Sequence, residues 1–177
     1  MLQPPKNALA TAVEILARRL VSTHELRTKL AAKKLYSPAE IDEAVLAIKR
    51  LGVLHDDFLA EDIARSYRSR GYGPARIRMA LRKRGIPDEI VKQVMNGNGE
   101  EDAGPASDFF EERVNTDADN AYAVLFRKAA QFRREPDARK RREKAVRCLV
   151  GRGFSYEDAI AAANRWMREE GEGTDEE

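Results

Sequence analysis

The sequence predicts an all-α protein in which tandem three-helix repeats form an elongated, curved rod. Of its 177 residues, 42% are apolar, 35% are charged and 7% are aromatic, a balance typical of helices around a modest core. Apolar residues recur at helical spacing, and no run alternates as a strand would. The same order of helix starts and stops occurs three times, as in helical repeat proteins.

The first repeat, residues 8–54, contains three predicted helices. The first helix has one apolar stripe that is expected to face the core. This stripe consists of Leu9, Val13, Leu16 and Leu20. Ser22 and Ser37 each precede a glutamate by three residues, the spacing of a capping box, and so predict the next two helix starts. The expected inward residues of those helices are Leu26, Leu30, Ile41, Ala44, Val45, Ile48 and Leu51. Gly52 ends the third helix.

The second repeat, residues 55–96, follows the same order. Glycine ends its first two helices at Gly71 and Gly85, and proline opens its last two at Pro74 and Pro87. The expected inward residues are Leu59, Ile63, Tyr67, Ile77, Leu81, Ile90, Val91 and Val94. The compact polar cluster His55-Asp56-Asp57 invites a metal or acid–base interpretation, but an aspartate that caps the following helix explains it better.

The third repeat, residues 120–170, is fainter. A helix over 121–134 carries Leu125 and Phe132, a very basic helix opens at Pro136, and a last helix bears Ala159, Ala163 and Trp166. Residues 97–119 combine glycine, proline and acidic side chains, which predicts a flexible acidic linker. Residues 171–177 are expected to be a disordered acidic tail. Within the linker, Phe109-Phe110 is either an anchor on a neighbouring helix or part of a mobile loop.

Composition argues against an enzyme and against a cofactor or metal site. The chain has two histidines and one cysteine, Cys148, too few soft ligands for a structural metal. No glycine-rich phosphate loop and no recognisable nucleophile setting is present. The sequence shows no signal peptide and no membrane span, so we expect a cytoplasmic protein that does not bind membranes.

Charge is segregated along the chain. Residues 1–95 carry a net +7 and residues 121–168 a net +8, whereas 96–120 and 169–177 carry −7 and −6. The stretch SRGYGPARIRMALRKRG, residues 69–85, has basic residues and no acidic one. Its helix should turn Ile77 and Leu81 inward and its basic residues outward, with Met79 among them. A single basic helix is usually just solvated, but the middle helix of every repeat is basic here.

We therefore predict a basic stripe that binds a long, negatively charged partner. Its predicted residues are Lys29, Lys33 and Lys34 in the first repeat; Arg70, Tyr72, Arg76, Arg78, Met79, Arg82, Lys83 and Arg84 in the second; and Arg139, Lys140, Arg141, Arg142, Lys144 and Arg147 in the third. DNA, RNA or an acidic groove on a protein filament would fit such a stripe. A sequence-specific repressor is disfavoured, because Glu40, Asp42 and Glu43 at the start of the expected recognition helix would repel phosphates.

Three motifs resemble the RecX family, whose members regulate the RecA recombinase. They are Gly71-Tyr72-Gly73-Pro74-x-Arg76-Ile77-Arg78-x-x-Leu81-x-x-x-Gly85-Ile86, Gly52-Val53-Leu54-His55-Asp56-Asp57 and Arg152-Gly153-Phe154-Ser155-Tyr156-Glu157-Asp158. The resemblance covers about residues 8–168. It implies a negative modulator that binds the groove of the RecA–single-stranded DNA filament and limits its extension, ATP hydrolysis, strand exchange and coprotease activity.

The chain departs from the family pattern in two places. Leu35 stands where the first repeat usually has glycine, and the acidic insert at 97–119 is longer than expected. If the insert folds back, its acids would neutralise the basic stripe, which is a hypothesis of autoinhibition. We expect a monomer, with DNA as a second candidate partner. The alternative function is a non-specific single-stranded nucleic-acid-binding protein that acts on RecA by competing for DNA.

Overall fold

A computed structural model describes residues 7–96 and 116–172, with side chains through residue 170. Every regular element in these two ranges is an α-helix, which confirms the all-α prediction. The helices are α1 (Ala8–Leu16), α2 (Thr23–Ala32), α3 (Pro38–Arg50), α4 (Asp56–Ser69), α5 (Pro74–Lys83), α6 (Asp88–Asn96), α7 (Asp117–Arg127), α8 (Ala129–Arg133), α9 (Ala138–Gly151) and α10 (Tyr156–Glu172).

Side-chain caps fix where several helices begin. Ser22 and Ser37 form the two expected capping boxes, in which each serine oxygen accepts from a glutamate N–H and the glutamate accepts in return. Thr116 and Asp119 form a third box. Helix α7 therefore begins at Asp117, within the stretch predicted as linker, and not after Asn120.

The remainder of the predicted linker, 97–115, and the end of the tail, 173–177, lie outside the described residues. The linker's flexibility, its two phenylalanines and the autoinhibition hypothesis therefore stay predictions. The single helix predicted over 121–134 is instead two helices. Lys128, with φ −110° and ψ 9°, interrupts the ladder between α7 and α8.

The described residues group into two compact units. The first contains 7–63 and 80–94, and the second contains 64–79, 95–96 and 116–172. The boundaries fall inside α4, α5 and α6. The three predicted repeats remain a sequence prediction, while the helices themselves follow its order closely.

The core of the first unit is aliphatic. It contains Ala12, Val21, Leu26, Leu30, Ile41, Val45, Ile48 and Leu54. The predicted α1 stripe is wrong for Leu9, Val13 and Leu20, which are exposed, whereas Leu16, the last residue of the helix, packs against this core. Its small residues Ala8, Thr11 and Ala12 are buried instead, which lets α1 approach α3 closely. Leu51, also predicted inward, is 69% exposed because it follows the last turn of α3.

The core of the second unit centres on two aromatic rings. Trp166 and Phe132 are buried and meet edge to face with ring centroids 5.7 Å apart. Aliphatic residues of α7, α9 and α10 surround them, and the half-buried Cys148 packs against the same cluster. Ion pairs of Arg165 with Asp119 and of Arg133 with Glu170 join the helices at the surface.

Residues with left-handed backbone conformation follow the ends of several helices. The predicted helix-ending glycines Gly52, Gly71 and Gly85 all have positive φ, as does Gly153. Lys34 also has a positive φ, 55°, and among the described residues no other non-glycine residue does. The left-handed residue of this turn is thus Lys34, one residue before Leu35.

Replacing Lys34 by glycine should stabilise the protein. Left-handed backbone costs a side-chain-bearing residue roughly 1 kcal/mol, and glycine removes that cost. We expect Lys34→Gly to raise the free energy of unfolding in urea by about 1 kcal/mol. Gly85→Ala should lower it by about 2 kcal/mol or more, because a Cβ there is strained and meets His24 at 2.4 Å. An unchanged stability in both variants would contradict this assignment of strain.

Candidate partner-binding surface

The turn after α5 is tied to the start of α2 in the first unit. The buried Ser22 hydroxyl accepts the Glu25 N–H at 3.0 Å and donates to the Arg84 carbonyl at 2.5 Å. The Arg84 guanidinium pairs with Glu25 at 2.8 Å and donates to the Leu20 carbonyl at 3.0 Å. Arg84, predicted to bind a partner, is therefore occupied within the fold.

Gly85 allows this contact to be close. A Cβ at Gly85 would lie 2.4 Å from the His24 ring. Nearby, the Asp56 carboxylate accepts the N–H of Thr23, the first residue of α2, at 2.8 Å. The predicted cap of the following helix is thus wrong for Asp56, which is the first residue of α4 and satisfies an N–H at the start of α2 instead.

An equivalent contact joins the turn after α9 to the start of α5 in the second unit. The Arg152 carbonyl accepts the Gly73 N–H at 2.9 Å, and the Gly153 carbonyl accepts the Ala75 N–H at 3.0 Å. The Arg152 guanidinium donates to the Gly71 carbonyl at 3.1 Å. A Cβ at Gly73 would lie 2.4 Å from the Phe154 nitrogen, so the two backbones touch.

The two contacts use one design, which we call the arginine–glycine junction. It consists of an arginine, a left-handed glycine and a buried apolar residue. These residues are Arg84, Gly85 and Ile86 in the first unit, and Arg152, Gly153 and Phe154 in the second. In each, the arginine binds a carbonyl of the chain that leads into the docked helix, and its own carbonyl accepts a hydrogen bond from that helix's start.

Tyr72 lies at the centre of the second junction. The guanidinium carbons of Arg76 and Arg152 lie 5.8 and 5.6 Å from its ring centroid, and the Tyr67 ring is 5.3 Å away. Cation–π attraction and ring packing therefore hold this half-buried side chain in place. Tyr72 and Arg76 are both predicted partner-binding residues, and the structure brings them together with Arg70, whose carbonyl accepts from Arg152 at 3.0 Å.

The outward face of α5 matches its prediction. Ile77 and Leu81 are buried, and Met79 is 56% exposed. The exposed basic residues of this helix are Arg76, Arg78, Arg82 and Lys83. Arg82 has an acidic partner at 3.1 Å, Asp88, but both side chains remain more than half exposed, so the pair is weak.

The basic residues of the other middle helices divide into two groups. Lys29 on α2 is half-buried, and Lys33 and Lys34, which follow the last residue of α2, are exposed. On α9, three arginines have polar contacts within the second unit: Arg139 with Glu143, Arg141 with the Glu135 carbonyl, and Arg142 with Asn164. The other three, Lys140, Lys144 and Arg147, are exposed. Their spacing of four and three residues places them on one face of α9.

The second unit also contains a small polar cleft. Arg68, Tyr72, Asp117 and Phe154 contribute to its lining, and its volume is about 40 Å³. Burial and the nearby Asp158 raise the pKa of Asp117, while Arg68 and Arg78 act to lower it. The cleft has room for water but is far smaller than a typical site for an organic ligand.

The described residues offer neither a metal cluster nor a membrane-spanning helix. No group of three or more histidine, cysteine or carboxylate side chains in 7–96 and 116–170 is arranged to hold a metal ion. In the same part of the chain, no helix combines the length and the apolar character that crossing a bilayer requires.

Removing the Arg152 side chain should destabilise the second junction. The Arg152→Ala variant loses two hydrogen bonds to carbonyls and the contact with Tyr72, so its free energy of unfolding should fall by about 1–3 kcal/mol. Arg147→Ala is the control, since it removes an exposed arginine from the same helix region and should change stability by less than about 0.5 kcal/mol. Equal urea midpoints for both variants would show that Arg152 does not hold the junction.

The Glu25 contacts should make the first junction acid-sensitive. Burial acts to raise the pKa of Glu25, but the Ser22 N–H and the Arg84 guanidinium outweigh it and hold that pKa below its usual 4.5. A depressed folded-state pKa contributes stability that is complete above pH 4.5 and is lost as pH falls through the folded value.

Glu25→Gln tests this contribution. At about pH 7 the variant should be less stable than the wild type by about 1–2 kcal/mol. The gap should narrow as unfolding is measured at successively lower pH below 4.5, because the wild-type carboxylate is progressively protonated. A gap that stays constant over this range would contradict a role for the Glu25 charge.

Comparison with known proteins identifies relatives along nearly the whole chain. The family described as "RecX, second three-helix domain" matches residues 56–95. The regulatory protein RecX of a Thermus thermophilus strain is 36% identical over 166 residues, covering 94% of this chain and 96% of the relative. That of Chromohalobacter salexigens is 31% identical over 156 residues, covering 88% and 90%.

Solved structures show the same fold. The crystal structure of RecX from Lactobacillus salivarius has a TM-score of 0.71 at 19% identity, covering 90% of this chain and 94% of its own. A second crystal structure, of a regulatory protein RecX, has a TM-score of 0.65 at 18% identity, covering 85% and 68%. The curated relatives are named as regulatory proteins.

Proposed function

The chain belongs to the RecX family of regulatory proteins, as its motifs predicted, and from this premise we propose that it is a negative modulator of RecA. In this proposal it binds the groove of the RecA–single-stranded DNA filament and limits filament extension, ATP hydrolysis, strand exchange and coprotease activity. It acts by binding and not by catalysis, in the cytoplasm, as a monomer.

The outward face of α5 is the observation that supports this proposal best. Arg78, Met79, Arg82 and Lys83 are exposed on one short helix whose start is fixed by the second junction. A charged surface that is already ordered loses less conformational entropy when a partner binds. An exposed methionine among basic residues suits an irregular protein surface with acidic groups.

The alternative function has a specific observation in its favour. Lys140, Lys144 and Arg147 form an exposed basic row on α9, which would suit a phosphate backbone. Binding of single strands without sequence preference also relies on aromatic rings that stack on bases. Tyr72, the aromatic residue nearest the basic segment, is instead held between Arg76 and Arg152. This occupation favours a protein partner for α5.

The two functions differ in an assay of ATP hydrolysis by the cognate RecA. Preformed filaments are titrated with this protein below the RecA concentration, with single-stranded DNA in excess. Strong inhibition at a small fraction of the RecA present supports direct modulation, because competition for surplus DNA cannot cause it. Inhibition that begins only when the protein saturates the DNA supports the alternative.

The triple variant Arg78→Ala, Arg82→Ala and Lys83→Ala should lose most of this inhibition, because it removes the exposed charges of α5. We expect the inhibitory concentration to rise at least about tenfold. The control, Arg18→Ala with Lys49→Ala and Arg50→Ala, removes the same charge from exposed positions elsewhere. If both triple variants weaken inhibition equally, net charge and not the α5 face determines binding.

A further inference from the structure

A turn follows each of the three basic middle helices, and each turn contains a large apolar residue. This residue is buried in two of the turns and exposed in the third. Each turn has a left-handed residue, namely Lys34, Gly85 or Gly153, followed by a large apolar one. Ile86 and Phe154 are each 4% exposed, whereas Leu35 is 70% exposed. The turn between α2 and α3 thus repeats the left-handed residue and the following apolar residue of the junctions, but lysines replace the arginine and the glycine and the apolar residue is exposed.

The two arginine–glycine junctions show which kind of structure packs against such a turn. Each receives the start of a helix: the Arg84 carbonyl accepts from Ser22, the N-cap of α2, and the Gly153 carbonyl accepts from Ala75 in the first turn of α5. The carbonyls at a helix C-terminus carry partial negative charge, and the N–H groups at a helix start carry partial positive charge. In the second junction the contact is therefore complementary in its backbone, while in the first the Ser22 hydroxyl is the donor.

The α2–α3 turn differs from the two arginine–glycine junctions at two residues, and these differences indicate what kind of helix could bind to it. Lys33 takes the place of the junction arginine, which in the first unit pairs with Glu25 in the first turn of the docked helix. The occupant should likewise carry an acidic residue there. Lys34 takes the place of the glycine. A Cβ at Gly85 would meet His24 at 2.4 Å, so a helix on Lys34 must sit farther out.

We propose that Lys33, Lys34 and Leu35 form a docking surface for the first turn of an acidic helix on the partner protein. The outward displacement by the Lys34 side chain makes the contact shallower than the permanent junctions, which suits reversible binding. Leu35 adds an apolar contact to the lysines that the sequence alone predicts. This inference rests on the proposed function, in which the partner is the RecA filament.

Leu35→Asp tests the surface, with Leu51→Asp as its control. Both leucines are about equally exposed, at 70% and 69%, and both belong to the first unit. Binding of each variant to cognate RecA filaments on single-stranded DNA is measured by co-sedimentation. Leu35→Asp should weaken binding about tenfold or more, and Leu51→Asp should bind as the wild type does.

Two outcomes of this experiment distinguish failure of the docking-surface proposal from failure of the proposed function. If the wild type binds and Leu35→Asp binds equally well, the docking surface is refuted and the proposed function stands. If the wild type does not bind the filament at all, both fall. Circular dichroism at matched concentration verifies that the variants retain their helices.

A photo-crosslinking residue in place of Leu35 identifies the occupant. With benzoylphenylalanine at this position and cognate filaments as the probe, crosslinks should map to the first turn of a RecA helix that contains an acidic residue. Crosslinks to the DNA, to a helix interior or to a second copy of this chain would each overturn the inference.

Discussion

The contact between a left-handed turn and the start of the preceding middle helix is the constraint on which the rest of this structure depends. In both units an arginine side chain and the backbone beside it bind the chain that leads into a helix. Such bonds satisfy N–H and C=O groups that helix ends leave unpaired. Glycine is required because a Cβ would lie 2.4 Å from the His24 ring at Gly85 and 2.7 Å from the Arg76 nitrogen at Gly153.

This contact also relates stability to the proposed binding surface. The start of α5 is fixed by hydrogen bonds from Gly73 and Ala75 to the opposing turn, and Tyr72 is fixed by two guanidinium groups. The exposed charges of α5 therefore project from an anchored helix. Conversely, the charged residues that build the junctions, Arg84 and Arg152, are engaged within their units. A basic residue in this family motif can thus stabilise the fold and need not be free to bind a partner.

The positions of many helices could be predicted from residues next to one another in the sequence. Capping boxes, prolines at helix starts and glycines at helix ends are short-range signals, and they placed α2, α3, α5 and α6 closely. Predictions that depended on packing failed. The stripe of α1 was assigned to Leu9 and Val13, yet the helix packs through Ala8 and Ala12, because small residues permit a closer approach. Lys128 breaks a helix at a residue that carries no local signal.

The basic stripe was predicted from residue type, and residue type does not reveal partners within the chain. Arginine is typical of protein surfaces, yet Arg84 binds Glu25 and Arg142 binds Asn164. Residue type alone does not mark Arg152 as a site residue, but its position before a glycine and an apolar residue repeats that of Arg84 and indicates a shared role. Contacts between residues far apart in the sequence, such as Arg84 with Leu20 and Arg152 with Gly71, were needed to distinguish these cases.

The oxidation rate of Met79 by hydroxyl radicals, measured by mass spectrometry, is the sharpest probe of the proposed binding face. Met79 is 56% exposed on the basic face of α5, so its sulfur reports on whatever covers that face, and the half-buried Met167 serves as an internal reference. We predict that RecA filaments protect Met79 and that single-stranded DNA alone does not. Filament binding without protection of Met79, or equal protection by DNA alone, would show that this face does not bind RecA.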